Sequence, residues 1–532
     1  MTLHPTVRSS DDAVRWHAAG HWGTEPLGAD FARTCAARGE AVALVDGGRR
    51  LTFADWDRQS AAVAAGLRGL GIGACDVVAY QLPNWWEAAV LFLAAARLGA
   101  IVNPILPIFR ERELAFILRQ SGAVALAIPG TFRGIDYPAL VESVRGEAPR
   151  LREVLVTRAA AGPPHRAFAS LLDAAPAAEA AVDADALLML MYTSGTTAEP
   201  KGVLHTHNTL LAEVRSLQRI HSLTAADRTL MPSPLTHVSG VIHAILTPAA
   251  AGTSAVLMER WEAGAGLRLI AAEQVTYMVG APTFLEDLVG HPARAAADLA
   301  SLRLFSCGGA PVSADLIHRA RAELGCVAKR VYGSTEFPTI TTTDAADAAA
   351  MGADTEGRVI APAELRIVDE AGDACAAGVE GEVQARGPEC CVGYADAALD
   401  AAAFTADGWF RTGDLGTVDA AGYLRITGRL KEIVIRKGEK FSLREIEAAV
   451  ARHPAVAAAA VVALPDPDTG ERACAAVVLR AGAALTLAEL SAFLASIGLA
   501  RQKHPERLEL VDALPRTDSG KLHRAALRSR FA

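Results

Sequence analysis

The sequence predicts an α/β protein with a large N-terminal domain of layered α/β sheets and a small, mobile C-terminal α+β domain. Apolar runs of strand length alternate with helical segments over most of the chain, which is typical of α/β folds. The length of 532 residues allows for roughly two to four domains. The alternating pattern restarts after Gly428, and about a hundred residues follow it. We therefore expect domains at 1–428 and 429–532, with a hinge near Lys431.

The first third of the chain predicts helices that alternate with buried parallel strands. Thr52 and Asp55 resemble a capping box and mark the start of a helix. The runs Val77–Gln81 and Ala123–Ile128 are apolar almost throughout, as expected for strands that are covered on both faces. Glu87–Leu98 has the length and composition of a helix between them.

The middle of the chain continues this alternation. An alanine- and proline-rich connection is expected at Arg158–Ala181, and a helix is expected to begin at His207. Three further runs predict strands at Tyr277–Val279, Arg303–Ser306 and Lys329–Tyr332.

The C-terminal segment predicts its own small set of elements. We expect a helix near Arg444–Arg452 and strands at Val456–Leu464 and Ala473–Leu479. A capping box at Thr486 then begins another helix, and a strand follows at Leu508–Val511.

Composition excludes several classes of function. The net charge of −8 argues against nonspecific nucleic-acid binding as the main role. The eight cysteines show no CxxC spacing, and the vicinal pair Cys390-Cys391 is expected to be buried and reduced. Met1–Ser10 lacks the apolar segment of a signal peptide, and Ala88–Val102 is too short for a transmembrane segment. We expect a cytoplasmic protein.

The loop within Tyr192–Val203 has the composition of a polyphosphate site. It follows the apolar run Leu187–Met191 and combines hydroxyl residues, glycines and Lys201. Freed backbone N–H groups and hydroxyls can surround phosphate oxygens, while a lysine supplies positive charge. Such a loop alone can also be a flexible turn, so the rest of the sequence must distinguish the two.

Five further segments carry residues suited to nucleotide chemistry. In chain order they are Ser306–Pro311, Tyr332–Glu336, Gly408–Gly416, Gly428-Arg429 and Pro515–Lys521. Taken singly, Glu336 could be a solvated loop acid, Asp414 a turn former and Lys521 a surface lysine.

Together and in this order, the segments resemble the acyl-adenylate-forming superfamily, which includes acyl-CoA synthetases, nonribosomal-peptide adenylation domains and firefly luciferase. The resemblance extends from Leu51 to Lys521. Within it, Gln81–Trp86 and Pro107–Glu113 are most similar to cyclohexanecarboxylate, medium-chain and aryl acid CoA ligases. It implies that a carboxylate attacks the α-phosphate of ATP, and that a thiol then displaces AMP from the acyl-adenylate.

The resemblance implies a role for each matching residue. The β- and γ-phosphates would be held by Thr193, Ser194, Gly195, Thr196, Thr197 and Lys201. Adenine and its surroundings would be contacted by Gly309, Ala310, Tyr332 and Gly333. Thr335 would hold the α-phosphate and Glu336 a Mg²⁺ ion. Asp414 and Arg429 would bind the ribose, and Lys521 would bridge the carboxylate and the phosphate.

The same resemblance implies that the small domain rotates about Lys431 between the two half-reactions. One pose delivers Lys521, and the other presents Lys437, Gly438 and Lys440 to the thiol of coenzyme A. A basic set would face the phosphates of CoA or, alternatively, form a solvated surface: Arg436, Lys437, Lys440 and Arg444.

Small and apolar residues are expected to line the acyl pocket. They are His237, Val238, Ile242, Ala281, Gly308, Gly333 and Pro338. His237 matches the family's gating histidine beside the acyl carboxylate, and the alternative is a core histidine. Since the set has no acid or base aimed at a substrate amine, we expect a bulky apolar, alicyclic or aryl carboxylic acid rather than an amino acid.

One departure from the family pattern affects the expected activity. Ala198 stands where the phosphate loop usually has glycine. If that position needs positive φ, alanine costs about 1–2 kcal/mol and selectively weakens adenylation. Besides a carboxylic acid–CoA ligase, the alternatives are therefore a ligase that mainly converts an acyl-adenylate made by a separate adenylating enzyme, a stand-alone ligase that loads a carrier protein, and a ligand-binding pseudoenzyme.

Overall fold

The computed structural model describes residues 10–175, 180–193, 200–430, 433–436, 439–466, 470–516 and 522–532. The chain divides into two compact units. The first contains Met1–Glu364 and Arg386–Phe410, and the second contains Leu365–Ala385 and Arg411–Ala532. The domain boundary after Gly428 stays a prediction.

The described strands are numbered in chain order. They are β1 Val42–Asp46, β2 Arg49–Thr52, β3 Val77–Tyr80, β4 Ile101–Pro104, β5 Ala125–Pro129, β6 Thr131–Phe132, β7 Ile135–Asp136, β8 Glu153–Thr157, β9 Arg166–Ala167, β10 Leu187–Thr193, β11 Lys201–Thr206, β12 Arg228–Met231, β13 Ser254–Leu257, β14 Tyr277–Gly280, β15 Leu304–Gly308, β16 Val327–Tyr332, β17 Thr341–Thr342, β18 Arg358–Val359, β19 Glu364–Val368, β20 Gly381–Arg386, β21 Gly393–Tyr394, β22 Phe410–Val418, β23 Leu424–Arg429, β24 Ile433–Arg436, β25 Glu439–Ser442, β26 Val456–Asp466, β27 Gly470–Leu479 and β28 Arg507–Leu510.

The described α-helices are numbered in the same way. They are α1 Ser10–Ala18, α2 Leu27–Arg38, α3 Phe53–Gly69, α4 Trp86–Arg97, α5 Glu111–Ser121, α6 Tyr137–Val144, α7 His207–His221, α8 Val238–Val241, α9 Thr247–Ala251, α10 Ala263–Glu273, α11 Pro282–Gly290, α12 Ala314–Leu324, α13 Ala345–Met351, α14 Asp400–Ala403, α15 Leu443–Ala451, α16 Leu487–Ser496 and α17 Arg524–Phe531.

Two large sheets organise the first unit. Among the described residues, the nine-stranded sheet has the order β18-β17-β16-β15-β14-β12-β13-β1-β2, and the eight-stranded sheet has the order β21-β11-β10-β4-β3-β5-β8-β9. Strands β12 to β16 of the larger sheet run parallel, as do β3, β4, β5 and β8 of the smaller one. Parallel neighbours bring the carboxyl ends of their strands to one edge, where α/β proteins bind ligands.

Helix α4 fills the core between these two sheets. All of its residues are buried, and it contacts β4 of one sheet and β1 of the other. Its polar ends are satisfied by ion pairs, since Glu87 accepts from Arg158 and Arg97 donates to Asp57. Pairing is what makes the burial of such charged groups tolerable. No helix among the described residues has both the length and the hydropathy needed to cross a membrane.

The second unit contains a four-stranded sheet of order β19-β20-β22-β23 and a sheet in which β25-β24-β27-β26 is extended by β28. Helices α15 and α16 pack on the latter sheet through Ile446, Val450, Leu490 and Leu494. These elements confirm the helices and strands predicted for the C-terminal segment, including the capping box at Thr486.

Most predicted elements of the first unit are confirmed within a few residues. The capping box at Thr52 exchanges both of its hydrogen bonds with Asp55. In the described part of the connection predicted at Arg158–Ala181, β9 pairs with β8, and the 3₁₀ turn Phe168–Leu171 buries two apolar side chains. The π-helical segment Ile242–Leu246 between α8 and α9 was not predicted.

Candidate active site

A β-hairpin holds the ends of the predicted phosphate loop. Strands β10 and β11 pair antiparallel, with Thr193 opposite Lys201. Both residues are half-buried. The loop residues Ser194, Gly195, Thr196, Thr197 and Ala198 lie outside the described residues.

The hairpin is tightly packed at Gly202, the second residue of β11. A Cβ atom at Gly202 would lie 2.8 Å from Leu190 Cδ1 and 3.0 Å from Ala395 Cβ. Glycine at this point therefore lets β11 pack against the segment that follows β21.

A second loop begins where β16 ends and carries Thr335 and Glu336. A Cβ atom at Gly333 would lie 2.0 Å from the carbonyl oxygen of Pro338, so only glycine fits. The Ser334 amide donates to the Phe337 carbonyl at 2.9 Å and closes the turn. The turn leaves Thr335 and Glu336 half-buried.

His205 joins this loop to the hairpin. Its Nε2 donates to the carbonyl oxygen of Thr335 at 2.8 Å, and its Nδ1 lies 3.0 Å from the hydroxyl of Thr209. Since a carbonyl can only accept, Nε2 carries the proton. The buried histidine thus fixes the backbone beside Glu336 relative to β11.

Tyr394 also joins the hairpin and the Glu336 loop. Its hydroxyl donates to Glu336 Oε1 at 2.7 Å, and the Nζ atom of Lys201 lies 5.4 Å from the centre of its ring. The amide of Cys391 also donates to the Glu336 carbonyl at 2.7 Å. Burial, together with the Glu336 charge, raises the pKa of the Tyr394 hydroxyl, so it remains a donor.

The predicted adenine contacts lie at the ends of two neighbouring parallel strands. Gly308 pairs with Val331, and a Cβ atom at Gly308 would lie 2.3 Å from the Val331 carbonyl oxygen. Gly309 follows with φ of 78°, and Ala310 is half-buried. The structure therefore brings Gly309 and Ala310 to the same sheet edge as Tyr332 and Gly333, and their contact with adenine stays a prediction.

The predicted acyl-pocket residues follow the carboxyl ends of β12, β14, β15 and β16. Ala281 directly follows β14 and is the N-cap residue of α11, while Val238 and Ile242 are buried in the helical segment after His237. His237 is half-buried, and its Nδ1 accepts from the Ser239 amide at 3.3 Å. The topology thus assigns these residues, with Gly308, Gly333 and Pro338, to one edge of the nine-stranded sheet.

Asn84 positions the segment that leads to His237. Its Nδ2 donates to the carbonyl oxygens of Ser233 at 2.9 Å and Met258 at 3.1 Å, and its Oδ1 accepts from the Leu235 amide at 2.7 Å. In the sequence, its motif Gln81–Trp86 indicates only a subgroup of ligases. A buried Asn between two apolar runs was the available signal for a structural role.

Two buried acids, Glu213 and Glu389, accept hydrogen bonds near the site and were not predicted from the sequence. Thr339 donates to Glu213 Oε1 at 2.6 Å, and Ser216 donates to Glu389 Oε1 at 2.6 Å. Both contacts attach segments near Glu336 and β21 to helix α7. Burial, reinforced by the Glu389 charge, raises the pKa of Glu213 to about 8. The sequence signal for such a buried acid was the position of Glu213 within the apolar stripe of the predicted helix.

The two predicted ribose residues lie together in the second unit. Asp414 and Arg429 are opposite each other in β22 and β23, and Arg429 Nε donates to Asp414 Oδ1 at 2.6 Å. The Asp414 side chain is buried and that of Arg429 is exposed. Their ribose contacts stay predictions.

Several predicted residues lie outside what the structure describes. They are Lys431, Lys437, Gly438, Lys521 and the side chains of Arg436 and Lys440.

Comparison with known proteins defines the class. Residues 31–395 match the family model of AMP-binding enzymes, and residues 445–521 match that of the AMP-binding enzyme C-terminal domain. The chain belongs to this family of adenylate-forming enzymes and is an AMP-forming acyl-CoA or aryl-CoA synthetase that binds ATP or AMP.

The chain is similar to several CoA ligases. It is 34% identical to the medium-chain fatty-acid–CoA ligase of Escherichia coli (strain K12) over 96% of this chain and 91% of that protein. It is 35% identical to the 2-hydroxy-7-methoxy-5-methyl-1-naphthoate–CoA ligase of Streptomyces carzinostaticus over 98% and 95%, respectively. The crystal structure of the anthranilate CoA ligase AuaEII with anthranoyl-AMP matches with a TM-score of 0.87 and 26% identity, covering 95% of this chain and 97% of that one. The predicted superfamily and fold class are confirmed.

Proposed function

We propose that the protein joins a bulky apolar, alicyclic or aryl carboxylic acid to coenzyme A at the expense of ATP. The observation that carries this proposal is the double link between the hairpin and the Glu336 loop. His205 and Tyr394 hold Lys201, Thr335 and Glu336 in one assembly, which combines positive charge, hydroxyls and a carboxylate where a polyphosphate is expected.

In the first half-reaction, a carboxylate oxygen attacks the α-phosphorus of ATP, and the bond to pyrophosphate breaks. Lys201 neutralises charge on the β- and γ-phosphates, and the loop hydroxyls donate hydrogen bonds to them. Thr335 holds the α-phosphate, and Lys521 bridges the carboxylate and the phosphate. Catalysis of this kind depends mainly on positioning and charge neutralisation. His237 lies beside the acyl carboxylate, while Asp414 and Arg429 bind the ribose.

The residues present fit a magnesium ion. Mg²⁺ in nucleotide sites is usually held by one or two carboxylates together with substrate phosphates. Glu336 supplies such a carboxylate next to the phosphate hairpin, and the hydroxyl of Thr335 is adjacent in sequence. When bound, the ion would neutralise phosphate charge during adenylation.

In the second half-reaction, the CoA sulfur attacks the acyl carbonyl carbon, and AMP leaves with the bonding electrons. We assign delivery of CoA to the small domain after rotation about Lys431, with Lys437, Gly438 and Lys440 toward the thiol. The phosphates of CoA would contact basic residues of the same segment.

The apolar pocket and the relatives support the proposed acid class. The predicted lining is small or apolar apart from His237, and relatives are named for medium-chain fatty acids and for a naphthoate. A pairwise screen of carboxylic acids and their synthetic adenylates with CoA, read by mass spectrometry, tests this. We expect AMP and acyl-CoA from alicyclic or aryl acids. Turnover restricted to free amino acids would contradict the proposal.

Ala198 supports a second candidate, a ligase impaired in adenylation that accepts a preformed acyl-adenylate. The screen separates the candidates when it is extended with a carrier-protein thiol in place of CoA and with a measurement of ligand binding. Product from the adenylate and CoA, but not from ATP, acid and CoA, identifies the impaired ligase. Product only with a carrier-protein thiol identifies a loading enzyme, and binding without any product identifies a pseudoenzyme.

A further inference from the structure

Tyr394 contacts both charged residues that the described part of the phosphate site contributes. Its hydroxyl donates to Glu336 Oε1, and its ring face lies 5.4 Å from Lys201 Nζ. The proposed two-step reaction gives Tyr394 no role of its own. The two contacts use different parts of the same side chain, so they can be removed separately.

We propose that Tyr394 is a positioning residue for adenylation, which orients the Glu336 carboxylate toward Mg²⁺·ATP and keeps Lys201 beside it. This inference rests on the proposed roles of Glu336 and Lys201.

The backbone around Tyr394 fixes the side chain in place. Tyr394 pairs with Val203 of β11, and its amide donates to Asp400 Oδ1 at 2.9 Å. The next amide, that of Ala395, donates to the Gly202 carbonyl at 2.7 Å. With only 3% of its surface exposed, Tyr394 has little freedom to adopt another rotamer. Its hydroxyl is therefore held at a fixed distance from the phosphate hairpin.

A phenol suits this position better than a cationic donor would. A hydrogen bond to an ionised carboxylate is charge-assisted and shortens toward the 2.7 Å observed here. Because the donor is neutral, the bond orients the carboxylate without cancelling the charge that a metal needs. The bond engages Oε1, and a carboxylate has further acceptor positions on its second oxygen.

The ring contributes through its contact with Lys201. An ammonium group within about 6 Å of an aromatic centroid is attracted to the face of the ring. Tyr394→Phe keeps this contact and removes only the bond to Glu336, whereas Tyr394→Leu removes both. Tyr137→Phe is a matched control, because Tyr137 is also buried and its hydroxyl donates to the Pro107 carbonyl at 2.8 Å.

The test is ATP binding by the full chain without acid, measured calorimetrically with and without Mg²⁺. We expect Tyr394→Phe to reduce the magnesium-dependent gain in ATP affinity about tenfold, with magnesium-free affinity unchanged. Tyr394→Leu should weaken magnesium-free binding as well, and Tyr137→Phe should match the wild type in both conditions. A purely structural role for the hydroxyl would instead lower the thermal midpoint and both affinities together.

A magnesium-dependent gain that is equal in wild type and Tyr394→Phe would overturn the inference, provided that Glu336→Gln abolishes the gain. If Glu336→Gln keeps the full gain, the metal role of Glu336 in the proposed function fails instead. The two failures are therefore distinguishable.

Discussion

At the scale of single residues, the candidate site depends on positions where only glycine fits. Gly333 is one of these, because any Cβ atom would overlap the Pro338 carbonyl. We expect Gly333→Ala to displace the loop that carries Thr335 and Glu336 and to lower the adenylation rate about 10²–10³-fold. Acid-dependent release of pyrophosphate measures this.

Gly290 provides the control for that substitution. It ends α11, has no positive φ, and a Cβ atom there would meet no atom within 4 Å. Gly290→Ala should leave adenylation unchanged. Equal rates for the two variants would contradict the role assigned to Gly333.

The raised pKa of Glu213 predicts that the stability of the fold depends on pH. Its pKa is raised to about 8 in the folded protein, so the folded state binds more protons than the unfolded state between the normal value of 4.5 and about 8. Stability contributed by this group is present below the unfolded pKa and is lost as pH rises through this window, by at most about 1.4 kcal/mol per pH unit.

Glu213→Gln removes the ionisable group and can still accept from Thr339. We expect its thermal midpoint, measured relative to the wild type, to rise progressively from pH 6 to pH 8. Parallel midpoints across this range would show that Glu213 is ionised in the folded protein.

At the scale of elements, alternation and capping residues predicted helices and strands well. The capping boxes at Thr52 and Thr486 and the strands near Val77 and Tyr277 follow from local spacing. The contact between Tyr394 and Glu336 could not be predicted in this way, since it depends on the pairing of β21 with β11, which are far apart in the chain.

Family resemblance implies the roles of the site motifs. The hydrogen bonds that hold these motifs in place are visible only in the structure. Asn84 and His205 act through backbone groups more than a hundred residues away. Such contacts leave no periodic pattern in the sequence. The π-helical segment at Ile242–Leu246 is equally invisible, because all five of its residues, including His243, are buried and leave no exposed polar face that would mark a helical period.

The hydrogen bonds that Asn84 makes with the loop between β12 and α8 predict different outcomes for two substitutions of Asn84. Asn84→Ala loses its hydrogen bonds and leaves buried carbonyls unsatisfied, at about 1–3 kcal/mol each. Asn84→Asp keeps the acceptor for Leu235 but turns a carboxylate oxygen toward the Ser233 and Met258 carbonyls. At pH 8 we expect the thermal midpoint to fall further for Asn84→Asp than for Asn84→Ala. The reverse order would contradict the assigned donor pattern.

At the scale of the whole molecule, the two half-reactions can be separated by the phosphate loop. In the proposed reaction, pyrophosphate contacts matter for adenylation and are absent when CoA displaces AMP. We therefore expect Ala198→Gly to raise acid-dependent pyrophosphate release while leaving thioester formation from a supplied acyl-adenylate unchanged. Single-turnover measurements of each step make the comparison. An equal change in both steps would show that residue 198 acts on the fold rather than on phosphate binding.

In the proposed function, the hairpin and the Glu336 loop form one adenylation site. The most direct measurement is acid-dependent exchange of labelled pyrophosphate into ATP, comparing the wild type with Lys201→Gln. We predict that exchange occurs with an apolar or aryl acid and falls about 10²-fold or more in Lys201→Gln, while acyl-CoA still forms from a supplied adenylate. Exchange that is unchanged in Lys201→Gln would contradict the account.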